Sequence, residues 1–404
     1  MAKLIKRNER FGREPAYVAT TLSGLEELLQ AELTDLGAQE TERSQRAVSF
    51  RSSKENFYRI LLWSRLSIRV FRKLSSFRAA SRDALYDGTR ALPWEQLITP
   101  ADTFAIRPQT SSSLFKNARF ASQVVKDAIV DRQRNQTNRR SSVRPDAPDL
   151  QLQLRILGDR VELLLDASGE PLSRRGYRKR GGVAPVNEVL AAGLLDLAGW
   201  NGQRPLLDPF CGSGTILAEA LIKAYRIAPN GYPRGWTHLR WPDHEKATWR
   251  GLMDEATESQ ENAKSLTDGA GAAALPVVGV DISKEQLSAA RENLERLGLS
   301  EAVQLLQADA LDLDLSAVGI SGEATVVTNV PYGERTGGEG GTDTDIEALY
   351  RGFGDWLKQS GLSGDAWILT GNLPQSRSIG LRSSARIELY NGPIECRLLH
   401  FELY

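Results

Sequence analysis

Apolar residues along the chain recur at two periods, two residues and about 3.6 residues, and the switches between them mark out strands and helices. Ala16-Tyr17-Val18-Ala19-Thr20 reads as a short strand. Leu25, Leu28, Leu29 and Leu33 then fall on one helical face, and Ser23 with Glu26 three residues on reads as a capping box opening that helix. Val48-Ser49-Phe50, an apolar helix over 55–65 and an alternating strand over 68–74 complete a small α+β unit. A second small unit follows. Phe104-Ala105-Ile106 reads as a strand, and 118–132 as a helix with Phe120, Val124, Val125 and Ala128 inward. Leu150, Leu152, Leu154 and Ile156 alternate with polar residues, as do Val161, Leu163 and Leu165 after Gly158-Asp159, which predicts a hairpin. Between helix and hairpin the polar stretch 132–140 reads as a basic loop.

The second half changes character. Asn187–Leu197 is an apolar helix, with Pro185 where its first turn would begin. Leu206-Leu207-Asp208 reads as a buried strand, followed by a glycine turn and a helix over 216–224. Residues 227–275 form an insertion with Trp236, Trp241, Trp249, His238 and His244, a helix over 255–264 and a soft linker over 268–274. Strands resume at 276–281, 303–310, 324–328 and 367–370, with a helix over 284–297 between the first two. The chain closes as a hairpin, 387–390 and 396–404, about the turn Asn391-Gly392-Pro393. Alternating β and α elements ended by a hairpin predict a mostly parallel sheet with an antiparallel edge.

At 404 residues the chain has room for more than one domain. The net charge is zero, but it divides unevenly. Residues 1–182 hold 33 Lys and Arg against 21 Asp and Glu, and residues 183–404 hold 18 against 30. A basic front half joined to an acidic back half suits a polyanion-binding module attached to a catalytic one. The densest basic run, 173–182, reads either as a linker or as a grip on nucleic acid. Two cysteines, Cys211 and Cys396, are too few for a disulfide framework and lack metal-ligand spacing, which points to a reduced, cytoplasmic setting. His238 and His244 have no further ligand-like neighbours, so no metal is expected. The basic stretch 1–13 has no apolar core, so no signal peptide is expected, and no apolar run approaches the roughly 18 residues of a membrane span.

The candidate chemistry lies at the carboxyl ends of the parallel strands, where open α/β sheets bind ligands. In Asp208-Pro209-Phe210-Cys211-Gly212-Ser213-Gly214-Thr215 the glycines permit a tight turn and close approach of a ligand to a helix N-terminus. An acid beside that turn repels a pyrophosphate and suits a ligand with an ammonium group, such as S-adenosylmethionine. Asp281 and Asp309 end the next two strands, placed for ribose hydroxyls and an adenine amine, with Ile282 and Ala310 beside them. Asp208 and Asp281 lie 73 residues apart rather than the about 20 of a dinucleotide fold, and the insertion accounts for the gap. Asn329-Val330-Pro331-Tyr332 follows another strand. The Asn329 side-chain oxygen and a carbonyl of the turn can accept both hydrogens of a planar exocyclic amine, and Tyr332 can stack on an extruded base. Alone, each strand-end acid is an ordinary helix cap and the Asn-x-Pro sequence an ordinary turn; together they form a donor and an acceptor corner.

These residues resemble the THUMP-domain RNA guanine-N2 methyltransferases, most of all the bacterial enzymes acting on 23S ribosomal RNA. The resemblance covers nearly the whole chain. It rests on Ser113-Leu114-Phe115-Lys116-Asn117-Ala118-Arg119-Phe120 with Lys126-Asp127-Ala128-Ile129, and on Leu165-Asp166 through Arg174-Arg175-Gly176-Tyr177-Arg178. The glycine turn, Asn329-x-Pro331-Tyr332-Gly333-Glu334-Arg335 and Asn391-Gly392-Pro393-Ile394-Glu395-Cys396 extend it. It implies a ferredoxin-like domain over 1–75, a THUMP domain over 76–170, a basic linker over 171–186 and a Rossmann-like methyltransferase domain over 187–404. It implies S-adenosylmethionine as cofactor, held by Asp208, Pro209, Phe210, Cys211, Gly212, Gly214, Asp281, Ile282, Asp309, Ala310 and Asn329. Catalysis falls to Asn329, Pro331 and Tyr332. RNA contact is expected at Lys116, Arg119, Lys126, Arg174, Arg175 and Arg178. Val330 departs from the family's usual proline, which weakens the choice of ribosomal RNA over tRNA. No second methyltransferase module, such as some relatives carry, is expected after the hairpin. Rival readings are adenine-N6 or glutamine methylation and a non-catalytic RNA-binding assembly factor; the basic front half speaks against glutamine, and the presence of Asp208 and Asn329 against the assembly factor. The 337–345 loop carries no reading beyond a mobile composition.

Overall fold

A computed structural model of the chain describes residues 15–178, 186–268, 276–332 and 343–404. The first half is built on one eight-stranded sheet. Its strands are β1 (Ala16–Thr20), β2 (Gln39–Ser44), β3 (Ala47–Arg51), β4 (Arg69–Arg78), β5 (Thr103–Ser111), β6 (Ser142–Val143), β7 (Leu150–Leu157) and β8 (Arg160–Asp166), in the order β2-β3-β1-β4-β8-β7-β5-β6. The two small α+β units meet where β4 pairs antiparallel with β8, so they share a sheet. Helices α1 (Glu26–Asp35), α2 (Lys54–Trp63), α3 (Arg82–Arg90) and α4 (Ala118–Thr137) serve this half. Leu29, Phe57, Leu85 and Ile129 from them join Tyr17, Phe104, Leu152 and Leu163 in one continuous core.

Three local expectations change. Ser23 does not cap α1, whose N-cap is Leu25; Ser23 lies two residues too early. Glu26 performs half of the box, accepting from the N–H groups of Gly24 and Arg46 at 2.8 Å each. Phe120 faces outward at 44% exposure, because it stands one residue out of step with the buried stripe Ala121, Val124, Val125 and Ala128. Residues 132–137 are the end of α4 rather than a loop, terminated by left-handed Asn138 (φ 52°). Arg132 grips Glu95 through two bonds of 2.9 and 3.0 Å, and Gln133 is buried.

The second half is a seven-stranded sheet. It comprises β9 (Leu206–Asp208), β10 (Val277–Asp281), β11 (Gln304–Gln307), β12 (Glu323–Asn329), β13 (Ser363–Thr370), β14 (Ala385–Asn391) and β15 (Ile394–Leu403). The order is β11-β10-β9-β12-β13-β15-β14; the first five are parallel, and β15 runs antiparallel to both its neighbours. Its helices are α5 (Glu188–Leu197), α6 (Thr215–Ala224), α7 (Lys246–Asp268), α8 (Lys284–Leu297) and α9 (Asp343–Gln359). Asn187 caps α5 by accepting from Val189 N–H at 2.9 Å; Pro185 and most of the 268–274 linker lie outside the described residues, as does most of the 337–345 loop.

The insertion leaves the second half to complete the core of the first. Trp241 stacks on Phe57 (5.8 Å between centroids, 14°), and Trp249 meets Tyr58 edge-on at 5.5 Å. His238 is fully buried against Trp249, and burial holds its pKa down to about 3, so the ring is neutral. Its Nδ1 pairs with the Ala167 carbonyl at 3.2 Å, while His244 pairs with the Tyr58 hydroxyl at 3.1 Å. Among the described residues no His, Cys, Asp and Glu group is arranged to hold a metal, and no helix is long and apolar enough to cross a membrane.

A buried polar knot joins the halves. Arg175 and Glu219, both without side-chain exposure, pair at 3.0 Å. The same guanidinium donates to the carbonyls of Arg65 (2.5 Å) and Leu172 (3.3 Å), and the Tyr177 hydroxyl donates to Glu219 at 3.1 Å. Arg65 and Lys223 also converge on Asp196.

Candidate active site

Strand β9 is three residues long, buried throughout and paired on both sides, by β10 and β12, and it delivers Asp208 to the sheet's carboxyl edge. Beyond it Cys211 N–H still bonds the Val280 carbonyl at 2.9 Å. Gly212 (φ +51°) and Gly214 (φ +76°) then take left-handed conformations that a side chain would strain. Gly214 caps α6 without a side chain, and a Cβ there would approach Ala290 of α8 to 3.1 Å. Pro209 is buried, and Phe210 packs edge-on to Phe353 at 5.0 Å. Burial pushes the Cys211 thiol well above its ordinary range, which unsuits it as a nucleophile.

Two long-range hydrogen bonds stitch the corners together. Gly212 N–H donates to Asp281 Oδ2 at 2.9 Å, tying the glycine turn to the end of β10. Thr328 Oγ1 donates to Asp208 Oδ1 at 2.6 Å, tying β9 to β12 one residue before Asn329. Asp208 is 1% exposed, and burial, with a smaller push from Asp281, raises its pKa to about 7 despite the Thr328 and Phe210 bonds. An ammonium group beside it would restore the carboxylate. Asp281 Oδ1 also accepts from Ser283 N–H at 2.8 Å, leaving lone pairs on both oxygens. Ile282 stands 69% exposed beside it, a large apolar surface next to a polar anchor. Asp309 follows β11, is exposed, and caps a short turn by accepting from Leu311 N–H at 2.9 Å; Ala310 behind it is buried.

On the acceptor side, Asn329 ends β12 and Val330 N–H bonds the Leu369 carbonyl at 3.2 Å, fixing the turn to β13. The Asn329 Oδ1 atom is buried and has no hydrogen-bond partner among the described residues. Unpaired buried acceptors are costly in folded proteins. Tyr332, expected to stack on a base, is 7% exposed. Asn391 Nδ2 donates to its hydroxyl at 3.0 Å and its ring rests against Gly371, so the ring braces the turn. Thr328 and Asn391 are site residues that pattern reading missed. Thr328 looked like one more β-branched strand residue, and the Asn391-Gly392-Pro393 turn gave no hint of reaching Tyr332.

The basic residues divide. Lys116 and Arg119 are exposed at the start of α4, Lys126 lies beside Asp127 at 2.6 Å, and Arg174 is exposed with Glu170 3.9 Å away. Arg175 and Arg178, expected to contact RNA, instead make their contacts within the protein. Arg175 lies inside the knot with Glu219, and Arg178 donates to the Val186 carbonyl at 2.8 Å and to Thr215 Oγ1, with Glu188 3.4 Å away. Their charges are neutralised by the protein itself, so neither is available to phosphate.

A parallel sheet with a glycine turn at β9 and an Asn-x-Pro corner at β12 is the frame of a nucleotide-handling transferase. The family description "RMKL-like, methyltransferase domain" matches residues 175–400, the THUMP domain 79–166 and the RlmL ferredoxin-like domain 16–71. The chain belongs to the RMKL-like methyltransferase family. It is 39% identical over 394 residues to the ribosomal RNA large subunit methyltransferase K/L of Syntrophotalea carbinolica, covering 96% of this chain and 53% of that protein. The chain thus spans about half the length of the K/L proteins it matches. A putative RNA methyltransferase of Synechocystis sp., slr0064, is 35% identical over 391 residues and is covered to 97% of its length. Among solved structures, SMU.472, a putative methyltransferase complexed with SAH, superimposes with a TM-score of 0.83 at 26% identity, over 97% of this chain and 99% of that one.

Proposed function

We propose that the chain transfers a methyl group from S-adenosylmethionine to the exocyclic N2 of a guanine in RNA, in the cytoplasm, with large-subunit ribosomal RNA ahead of tRNA. The names of the K/L relatives support the ribosomal substrate, and the SAH complex of SMU.472 supports the cofactor. In this reading residues 1–75 and 76–170 present the RNA, 171–186 connect, and 187–404 carry out the transfer.

The residues present fit the cofactor. Asp208, with a pKa near neutrality in the absence of a cation, matches an ammonium; Gly212 and Gly214 leave room at the turn; Asp281 retains acceptor capacity for ribose hydroxyls beside the apolar Ile282; Asp309 and Ala310 end the next strand. When bound, the cofactor supplies an electrophilic methyl carbon. The chain's own part is orientation. A guanine N2 is planar because its lone pair is delocalised into the ring, and it becomes nucleophilic when its two hydrogens are held out of plane. Asn329 Oδ1 accepts one, and a carbonyl of the Val330-Pro331 turn accepts the other. The developing positive charge on nitrogen then lies against two preorganised acceptors. Tyr332, held by Asn391, fixes that turn.

The unpartnered buried oxygen of Asn329 carries this reading. Incubating the chain with labelled cofactor and ribosomal RNA, then resolving nucleosides by mass spectrometry, tests it. N2-methylguanosine is expected; methyl label on adenine alone, or none, overturns the proposal.

A further inference from the structure

The N-terminal sheet is covered by helices on one face, where Phe104, Leu152 and Leu163 meet Ile129 and Leu85 in the core. Residues alternating with these point to the other face, and residues directly opposite across a ladder share a face. Following the pairing across β5, β7, β8 and β4 gives three successive rows on that outer face. Arg107 and Lys73 stand in one row, Arg155 and Glu162 in the next, and Arg160 and Arg78 in the third. Neighbouring strands are about 4.8 Å apart, so these cations form a flat lattice rather than a pocket.

Glu162 holds the lattice in place. Lys73 lies 3.1 Å from its carboxylate, Arg160 3.6 Å and Arg155 3.7 Å, so one acid is shared by three cations. Arg78 pairs with Asp159 in the hairpin turn at 2.8 Å, and Arg107 is exposed. Five cations against two carboxylates leave an excess of three. Residues 15–178 together carry an excess of seven, 26 Lys and Arg against 19 Asp and Glu, so this small area holds a large share of the half's positive charge. The rest of the three rows is polar or aliphatic: Gln109, Gln153, Ser76, Ser111 and Leu157 are at least partly exposed, while Leu164 is buried in a cluster with Val18, Ala47 and Phe71 and takes no part in the surface. None of the three rows contains an aromatic residue.

We propose that this outer sheet face docks the sugar–phosphate backbone of a double-helical RNA segment next to the nucleotide to be modified. The proposal deepens the RNA-methylating reading above and rests on it for the partner's class. The charge excess selects a polyanion. Unpaired strands are held largely by stacking on aromatic side chains, and a face without them is suited instead to phosphates and 2′-hydroxyls along a duplex. Gln109, Gln153 and the two serines supply neutral hydrogen-bonding groups for those hydroxyls. Sharing of Glu162 keeps the cations extended and spaced before the RNA arrives.

The test is equilibrium binding of the full chain to a blunt RNA duplex and to one of its strands, across a salt series. The duplex is expected to bind more tightly. The combined variant Arg107→Ala, Arg155→Ala and Arg160→Ala should weaken duplex binding at least about tenfold and reduce the salt slope by about 2 to 3, with cofactor binding unchanged. Arg78→Ala, at a side chain 83% exposed and so harmless to folding, should lower duplex affinity and the slope by about 1. Glu162→Gln should raise duplex affinity. Equal binding of single strand and duplex, or duplex affinity indifferent to these substitutions, overturns the surface. Wild-type chain that methylates RNA while the variants bind duplex normally refutes the surface alone. Wild-type chain that binds duplex through these residues yet transfers no methyl group refutes the enzymatic reading alone.

Discussion

The hydroxyl of Thr328 donates to the carboxylate of Asp208 across 120 positions of sequence, at 2.6 Å and out of contact with water. One residue further along β12 stands Asn329. The group expected to meet the cofactor's ammonium and the group expected to meet the target amine therefore hang from adjacent strands, locked by one bond.

Removing that bond separates the two roles. Thr328→Val keeps the shape but takes a donor from a buried acid, costing about 1–3 kcal/mol where the anion is needed. Calorimetric titration with S-adenosylhomocysteine should show affinity reduced by roughly tenfold or more at neutral pH. Unchanged affinity would show that Asp208 makes no ionic contact with the ligand.

Asn329→Ala should reduce methyl transfer by at least about a hundredfold, the usual cost of losing one preorganised catalytic hydrogen bond. Cofactor affinity should stay within about twofold, since the lost group faces the acceptor. Transfer at a normal rate removes Asn329 from the mechanism.

Cofactor binding should depend on pH through Asp208. Its folded pKa of about 7 lies above the 3.8 of an exposed aspartate, so the ligand-free fold holds a proton there that the unfolded chain releases. The resulting stabilisation is full below about pH 4 and fades as pH rises towards about 7. An ammonium ligand needs the anion, so its affinity should rise roughly tenfold per unit up to about pH 7 and then level off. Thermal shifts with ligand should accordingly be larger at pH 8 than at pH 6. A flat profile would mean that Asp208 is already ionised in the ligand-free chain or does not meet the ligand.

Arg175→Ala leaves the Glu219 carboxylate buried without its partner and should lower stability by about 3–5 kcal/mol. Urea unfolding measures this directly. The salt dependence of RNA binding by the folded variant should match the parent, because Arg175 meets no phosphate; a shallower slope would return it to the RNA surface.

Much of the architecture was open to pattern reading because periodicity is a local property. The strand ending at Asp208, the helix 284–297 and the closing hairpin each declare themselves within fewer than twenty residues. Phe120 shows the limit: the helix was legible, but a one-residue offset at its first turn, with Ala121 rather than Phe120 in the buried stripe, was not. Arg175 and Arg178 show another, since a run of cations reads alike whether it meets phosphate or a glutamate brought in from α6. The tryptophans of the insertion were plainly apolar anchors, yet their partners Phe57 and Tyr58 lie nearly two hundred residues away.

The chain's residues by themselves determined most of the strands and helices, though not β2, α3, β6 or α9, together with the glycine turn, the strand-end acids and the Asn-x-Pro corner, because backbone conformation and chemical type follow largely from neighbours in sequence. Tertiary structure alone decided that Thr328 touches Asp208, that Gly212 is held by Asp281, that Tyr332 is braced by Asn391 and that five cations share one sheet face. Those relationships arise from pairing between distant strands and from burial, which sets whether a charge is neutralised inside, titrates near neutrality or faces solvent. No local pattern encodes them.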